Sequence, residues 1–238
     1  MADPALAADK GPAEASAAAV VVFDFDGTLF RGDLGYEWLR WLLRRSPARF
    51  GLFVLLLPLW APLFLRRRWV QHGVRACFLI ATLGRAQVSH ADFLRDRAAV
   101  MRARLFPEGL SALAAERAAG RCVVIATGEY PPLVEDLLAD LPGGCPPVLG
   151  STVVMTRWGM DLRHHLQGRR KLDALEAAGH GRGYLRCYTD SVTDAALIRA
   201  SAEAVIVNVP ESARAAFVAR TAVDDGALRW VRWALSSR

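Results

Sequence analysis

Apolar positions along the chain fall into two periods. Val20-Val21-Val22-Phe23, Cys122-Val123-Val124-Ile125-Ala126 and Ala204-Val205-Ile206-Val207 are short runs, apolar on both faces, with the length of buried parallel strands. Tyr184-Leu185-Arg186-Cys187-Tyr188 is a weaker run of the same kind. Helical patterns lie between them, over 107–119 with Gly120 closing the helix, 131–138, 171–178 and 192–202. Strands alternating with helices predict an α/β fold, a doubly wound, Rossmann-like parallel sheet covered on both faces. Ligands of such sheets bind outside the carboxyl ends of the strands.

Residues 31–104 break this alternation and read as helix after helix: 33–45, an apolar block, 69–83, and 89–104 opened by a Ser89-His90-Ala91-Asp92 cap. The pattern predicts an α/β core over 19–30 and 105–220, interrupted by an inserted helical cap over 31–104. A C-terminal segment, 221–238, follows. A second interruption at 147–166 holds Val153-Val154-Met155 and Trp158-Gly159-Met160 and reads as a β-hairpin or flap. The alanine-rich residues 1–18 carry Asp3, Asp9 and Glu14 and lack both a basic start and an apolar run. They read as a disordered tail and not a signal peptide, which predicts a cytoplasmic protein body.

With 238 residues, 53% of them hydrophobic, the chain can bury a large core, which excludes a disordered protein. The net charge of +6 is local. Residues 31–70 hold Arg31, Arg40, Arg44, Arg45, Arg49, Arg66, Arg67 and Arg68 against Asp33 and Glu37, and the rest of the chain balances. A local basic cluster points to a local anionic surface. Because it is interleaved with leucines, it does not read as a nucleic-acid face. Cys77, Cys122, Cys145 and Cys187 lie far apart without metal-finger spacing and read as reduced thiols.

Candidate chemistry sits where the strands end. The first runs into Asp24-Phe25-Asp26-Gly27-Thr28, so two alternating carboxylates emerge together beside a glycine that permits a sharp turn. Unpaired acids there are costly unless a metal or protons neutralise them. The run at 122–126 ends in Thr127-Gly128, a hydroxyl and a backbone N–H suited to an anion. Tyr188 leads into Thr189-Asp190-Ser191, with Asp194 four positions after Asp190, adding oxygen ligands of the kind hard divalent cations take. Lys171 is one of only two lysines in the chain. Together these residues describe a phosphate-and-magnesium site.

These motifs, in this order, resemble those of the haloacid dehalogenase superfamily of phosphatases, over about residues 20–210. The resemblance implies that Asp24 is a nucleophile forming an aspartyl-phosphate and that Asp26 is the general acid and then the base. It implies that Thr127, with Gly128, and Lys171 hold the phosphoryl oxygens. It further implies Mg²⁺ on Asp24, the Asp26 backbone carbonyl and Asp190, with Asp194 supporting the metal site or the lysine. Tyr36 to Arg45, the apolar block, Ala126-Thr127-Gly128 and Pro131-Pro132-Leu133-Val134-Glu135 are similar to the branch of phosphoserine phosphatases and bacterial phosphatidylglycerophosphatases, the C type of the latter being nearer. Glu129 departs from that pattern, which has a small hydroxyl residue at this place. Asp33 reads either as a substrate-contacting acid or as a helix N-cap. Arg169 and Arg170 read as headgroup ligands or as the coat of a helix start, and His164 and His165 as substrate contacts or a solvated loop.

Phe50 to Leu65 is sixteen residues without a charge, flanked by Arg49 and Arg66-Arg67-Arg68. A straight span needs about 20 apolar residues. Pro58 and Pro62 weaken a helix, and basic residues at both ends argue against crossing. The block predicts interfacial insertion at the cytoplasmic face of a bacterial inner membrane, with arginines on anionic headgroups, or else a buried cap helix. Leu228 to Leu235 reads as an edge strand or an interfacial anchor. The expected activity is a Mg²⁺-dependent phosphomonoesterase acting on a lipid phosphate, phosphatidylglycerol phosphate first. Alternatives are a phosphatase of a small soluble phosphomonoester such as phosphoserine, and a catalytically inactive membrane-bound interaction protein.

Overall fold

A computed structural model describes residues 19–85 and 89–234; the tail at 1–18 lies outside the described residues. The chain runs β1 (Val20–Phe23), α1 (Leu34–Arg44), α2 (Pro47–Leu55), α3 (Leu57–Trp60), 3-10 turns at Ala61–Leu65 and Arg67–Trp69, α4 (Val70–Thr82) and α5 (His90–Arg102). It returns to the core with α6 (Pro107–Ala118), β2 (Cys122–Ala126), α7 (Pro131–Leu137), β3 (Val148–Leu149) and a hairpin of β4 (Thr152–Thr156) and β5 (Gly159–His164). Then come α8 (Arg169–Ala177), β6 (Tyr184–Thr189), a 3-10 turn at Val192–Asp194, α9 (Ala195–Arg199), β7 (Ser201–Val207), α10 (Glu211–Thr221), a 3-10 turn at Asp225–Ala227 and β8 (Leu228–Val231).

The six strands β3-β2-β1-β6-β7-β8 form one sheet, in that order, and every pairing is parallel. β1 lies inside it because Val21, Val22 and Phe23 are apolar on both faces and fully buried. Phe23 stacks on Tyr188 of the neighbouring strand with ring centroids 4.1 Å apart. This is the doubly wound α/β fold that the alternation predicts. The interruption at 147–166 is an antiparallel hairpin, and β8 makes the C-terminal segment an edge strand of the sheet.

Some local details differ from the pattern. The helix expected over 192–202 is only a 3-10 turn and the five residues of α9, because Ser201 already pairs with Tyr184 as the start of β7. α8 begins at Arg169, two residues before Lys171. Ser89 stands at the N-cap of α5 but makes no side-chain capping bond.

The cap departs most from ordinary burial. Asp33 caps α1 through the Tyr36 N–H at 2.6 Å, and Ser46 caps α2 with Pro47 in its first turn. From Pro47 to Leu65 no residue is buried, which overturns the buried-helix alternative for the apolar block. Among the described residues no single helix is long and apolar enough to cross a membrane. Pro47–Leu55 and Leu57–Leu65 pass that test together but bend by 54° at Leu56. Trp60 clasps this elbow by donating to the Phe53 carbonyl at 2.9 Å and packing its ring 4.4 Å from that of Phe53. Leu55, Leu59 and Leu65 are each more than 70% exposed.

Candidate active site

β1 places its two acids by continuing, extended, past Phe23. The Asp24 N–H donates to the Tyr188 carbonyl at 2.9 Å, and Phe25 goes fully into the core. The chain then turns at once, since the N–H groups of Thr28, Leu29 and Phe30 all donate to the Phe25 carbonyl. Gly27 makes this possible at φ +75°. A Cβ there would lie 1.9 Å from Asp190 Oδ2, so the Asp190 carboxylate rests directly on the turn that follows Asp26.

Lys171, in the first turn of α8, reaches between two acids. Its Nζ lies 2.8 Å from Asp24 Oδ1 and 2.8 Å from Asp194 Oδ2. All three side chains are nearly or wholly buried. Thr189 also donates to Asp194 Oδ2, at 2.9 Å, so this oxygen is committed to the lysine and the strand end. The other, Asp194 Oδ1, is buried without a hydrogen-bond partner. Asp194 therefore faces Lys171, while Asp190 faces Gly27.

Thr127, fully buried at the end of β2, accepts the Glu129 N–H on its hydroxyl at 3.1 Å, which leaves its own proton free to donate. Gly128 is pressed by His165, whose Cε1 a Cβ would approach to 3.1 Å. Ser151 clips these loops together. Its hydroxyl bonds the Gly128 carbonyl, accepts the Leu166 N–H at 3.0 Å and lies 3.2 Å from His165 Nδ1. Glu129 is buried, with its carboxylate against Gly35 of α1 and near that of Asp26. The Asp26 carboxyl also accepts the Leu34 N–H at 2.9 Å.

The electrostatics follow from burial of many acids around one cation. Burial, with Asp194 and Asp190 adding to it against the opposing Lys171, pushes Asp24 up to about 8. Burial and the neighbouring Glu129 and Asp33 hold Asp26 well above the usual carboxylate range. Burial and Asp33 raise Glu129 to about 7, and burial and Asp194 raise Asp190 to about 6. Burial works against the Lys171 ammonium, but Asp194 and Asp24 more than offset it. Burial, then Arg170, lowers His165. The direction of the Asp26 shift favours its protonated carboxyl, the form a general acid uses.

Among the described residues no three His, Cys, Asp or Glu side chains converge as a metal site. The donors that do meet are all oxygen: the Asp24 and Asp190 carboxylates beside the Gly27 turn, with the Asp26 carbonyl in the chain between. Burial first, and then the neighbouring carboxylates, raise both acids, and oxygen donors suit a hard cation such as Mg²⁺.

Beside this centre lies a cavity of about 310 Å³ between core and cap. Its polar end is Asp33, Gly128, Glu129, Ser151 and His165; Trp38, Phe64, Cys77, Phe78 and Met160 line much of the rest. Asp33 accordingly does both things open to it, capping α1 and facing the cavity. Arg169 is not brought here. It lines a separate depression with Asp173, Glu176 and Arg220. The pattern did not single out Ser151, whose role depends on contacts with residues as far off as Gly128 and Leu166.

A family model described as haloacid dehalogenase-like hydrolase matches residues 21–199. A search of curated proteins gives no match. Among solved structures, the chain is similar to a protein of unknown function from Bordetella pertussis Tohama I, at 18% identity and TM-score 0.64, covering 89% of this chain and 97% of that one. It is also similar to phosphoserine phosphatase from T. onnurineus, at 17% identity and TM-score 0.52 over 81% and 85% of the two chains. A third likeness is to cytosolic 5'-nucleotidase IIIB bound to cytidine, at 10% identity and TM-score 0.59 over 85% and 78%. At these identities the likenesses speak for the fold.

Proposed function

Since the chain belongs to the haloacid dehalogenase-like hydrolase family, we propose that it is a Mg²⁺-dependent phosphomonoesterase acting on a lipid phosphate, phosphatidylglycerol phosphate in particular, at the cytoplasmic face of a membrane. One observation carries the lipid part. Phe64, in the second arm of the exposed apolar elbow, also lines the cavity that Asp33, Gly128 and Glu129 line. A lipid phosphate can thus place its headgroup in the cavity while its acyl chains stay in the layer into which the elbow dips. Arg49, Arg66 and Arg68 flank that elbow and suit anionic headgroups.

In the chemical step the Asp24 carboxylate attacks phosphorus and the bond to the leaving oxygen breaks. Asp26 gives its proton to that oxygen, and the phosphoryl group is left on Asp24. The Thr127 hydroxyl, the Gly128 N–H and the Lys171 ammonium bind the phosphoryl oxygens. Asp24, the Asp26 carbonyl and Asp190 would hold Mg²⁺, which would supply the charge neutralisation that lets a phosphate dianion approach a carboxylate. Asp26, now ionised, takes a proton from the water that attacks phosphorus, and Asp24 and inorganic phosphate are released.

The test is phosphate release from phosphatidylglycerol phosphate in mixed micelles, with and without Mg²⁺, beside phosphoserine, with Asp24→Asn as blank. Metal-dependent release from the lipid is the expected result. Release from phosphoserine alone overturns the lipid substrate and keeps the chemistry. No release from either overturns the enzymatic reading.

A further inference from the structure

A second, smaller cavity of about 140 Å³ adjoins the first and shares His165, Gln167 and Val70 with it. Its other walls are Arg68, Gln71 and Arg170. Arg170 is held by two of its own contacts. It donates to the His165 carbonyl at 3.1 Å and to the Gln71 side chain, which ties α8 to the first turn of α4. The rest of its planar fork is left for another acceptor. Arg68 leans on the Trp69 ring, 5.2 Å from its centroid.

Neither arginine has a carboxylate partner among the described residues, whereas Arg45, Arg75, Arg104, Arg121 and Arg186 are all paired. Two uncompensated guanidiniums that line one concave site, one from the cap and one from the core, match an anion in charge. The first cavity points the same way. Asp33 and Glu129 at its polar end repel a negative group set close to the scissile ester, so a second anion on the substrate is driven beyond them.

We propose that the pocket formed by Arg68, Arg170, Gln71, His165 and Gln167 binds a second phosphate carried by the leaving group of the substrate. The inference rests on the phosphomonoesterase reading and narrows its substrate class to compounds with a scissile phosphomonoester and a further phosphate, diester or monoester, on the same molecule. Arg170 precedes the catalytic Lys171 by one position, so the anchored charge and the transferring phosphoryl group are read from adjacent residues of one helix.

The experiment compares wild type, Arg68→Gln and Arg170→Gln on three substrates. These are p-nitrophenyl phosphate, which has no second phosphate, phosphatidylglycerol phosphate in neutral-detergent micelles, and its deacylated, water-soluble headgroup. Both arginine side chains are exposed, so their replacement leaves the core intact. Loss of a charge-assisted contact predicts that preference for the two doubly phosphorylated substrates over p-nitrophenyl phosphate falls by about 10- to 100-fold in each variant, chiefly through KM. An equal loss on all three substrates, or no loss, overturns the second-phosphate site while wild-type turnover upholds the phosphatase reading. A loss on the lipid but not on the soluble headgroup assigns the arginines to the membrane surface and also overturns it. Wild type inert on all three overturns both readings together.

Discussion

Lys171 Nζ stands 2.8 Å from Asp24 Oδ1 and equally close to Asp194 Oδ2, so this buried lysine joins the end of the first strand to the loop after β6. Replacing it with methionine leaves two buried carboxylates without their cation. Lys171→Met is expected to lower stability by about 3–5 kcal/mol, as read by urea denaturation, and to abolish turnover.

Asp24→Asn keeps the shape of the side chain and removes the attacking oxygen's charge, while Lys171 keeps Asp194. Turnover of any phosphomonoester is expected to fall by at least about 10³-fold with the fold intact by circular dichroism. Substantial residual activity would exclude an aspartyl-phosphate route.

Gly27 is the point where backbone and carboxylate touch. Gly27→Ala places a Cβ against Asp190 Oδ2 and forces an L side chain to φ +75°. The backbone strain is about 1–2 kcal/mol, and displacement of Asp190 is expected to raise the Mg²⁺ concentration needed for half-maximal activity by about tenfold or more. Unchanged metal titration would separate Asp190 from the metal.

Glu116, buried between sheet and α6, accepts from Tyr188 at 2.8 Å and pairs with Arg121 and Arg186. Burial raises its pKa, but these donors outweigh it and hold the carboxyl below the usual glutamate value. A depressed folded pKa stabilises above the unfolded pKa and loses that contribution as pH falls through the folded one. Glu116→Gln is expected to cost about 2 kcal/mol near pH 7. The gap between variant and wild type should close in acid, as followed by thermal melts from pH 7 to pH 3.

The apolar elbow predicts membrane contact. Leu59 and Leu65 are 72% and 84% exposed, and each side chain gains about 1.5–3 kcal/mol on leaving water. Leu59→Glu and Leu65→Glu are each expected to weaken co-sedimentation with anionic vesicles by about tenfold or more, while p-nitrophenyl phosphate turnover persists. Wild type that fails to bind vesicles would return the elbow to another partner.

The amino-acid sequence by itself determined the sheet and the order of its chemistry. Apolar runs of strand length define β1, β2 and much of β7, and a strand that passes straight into Asp24-Phe25-Asp26-Gly27 must present its acids at its carboxyl end, because alternation and the turn are local properties. Which way the apolar block faces was not local. Its composition fits a buried helix and an exposed elbow equally, and only its packing against α4 leaves Leu55, Leu59 and Leu65 bare. The same holds for neighbours on one helix. Arg169 and Arg170 are indistinguishable in composition, yet about 100° of rotation per residue sends one toward Asp173 and Glu176 and the other to His165 and Gln71. Glu129, Ser151 and His165 acquired their places from loops far apart in the chain, and Asp194 turned to Lys171 because burial leaves an ammonium no better partner. Side-chain direction and long-range contact are set by packing, and packing exists only once the chain has folded.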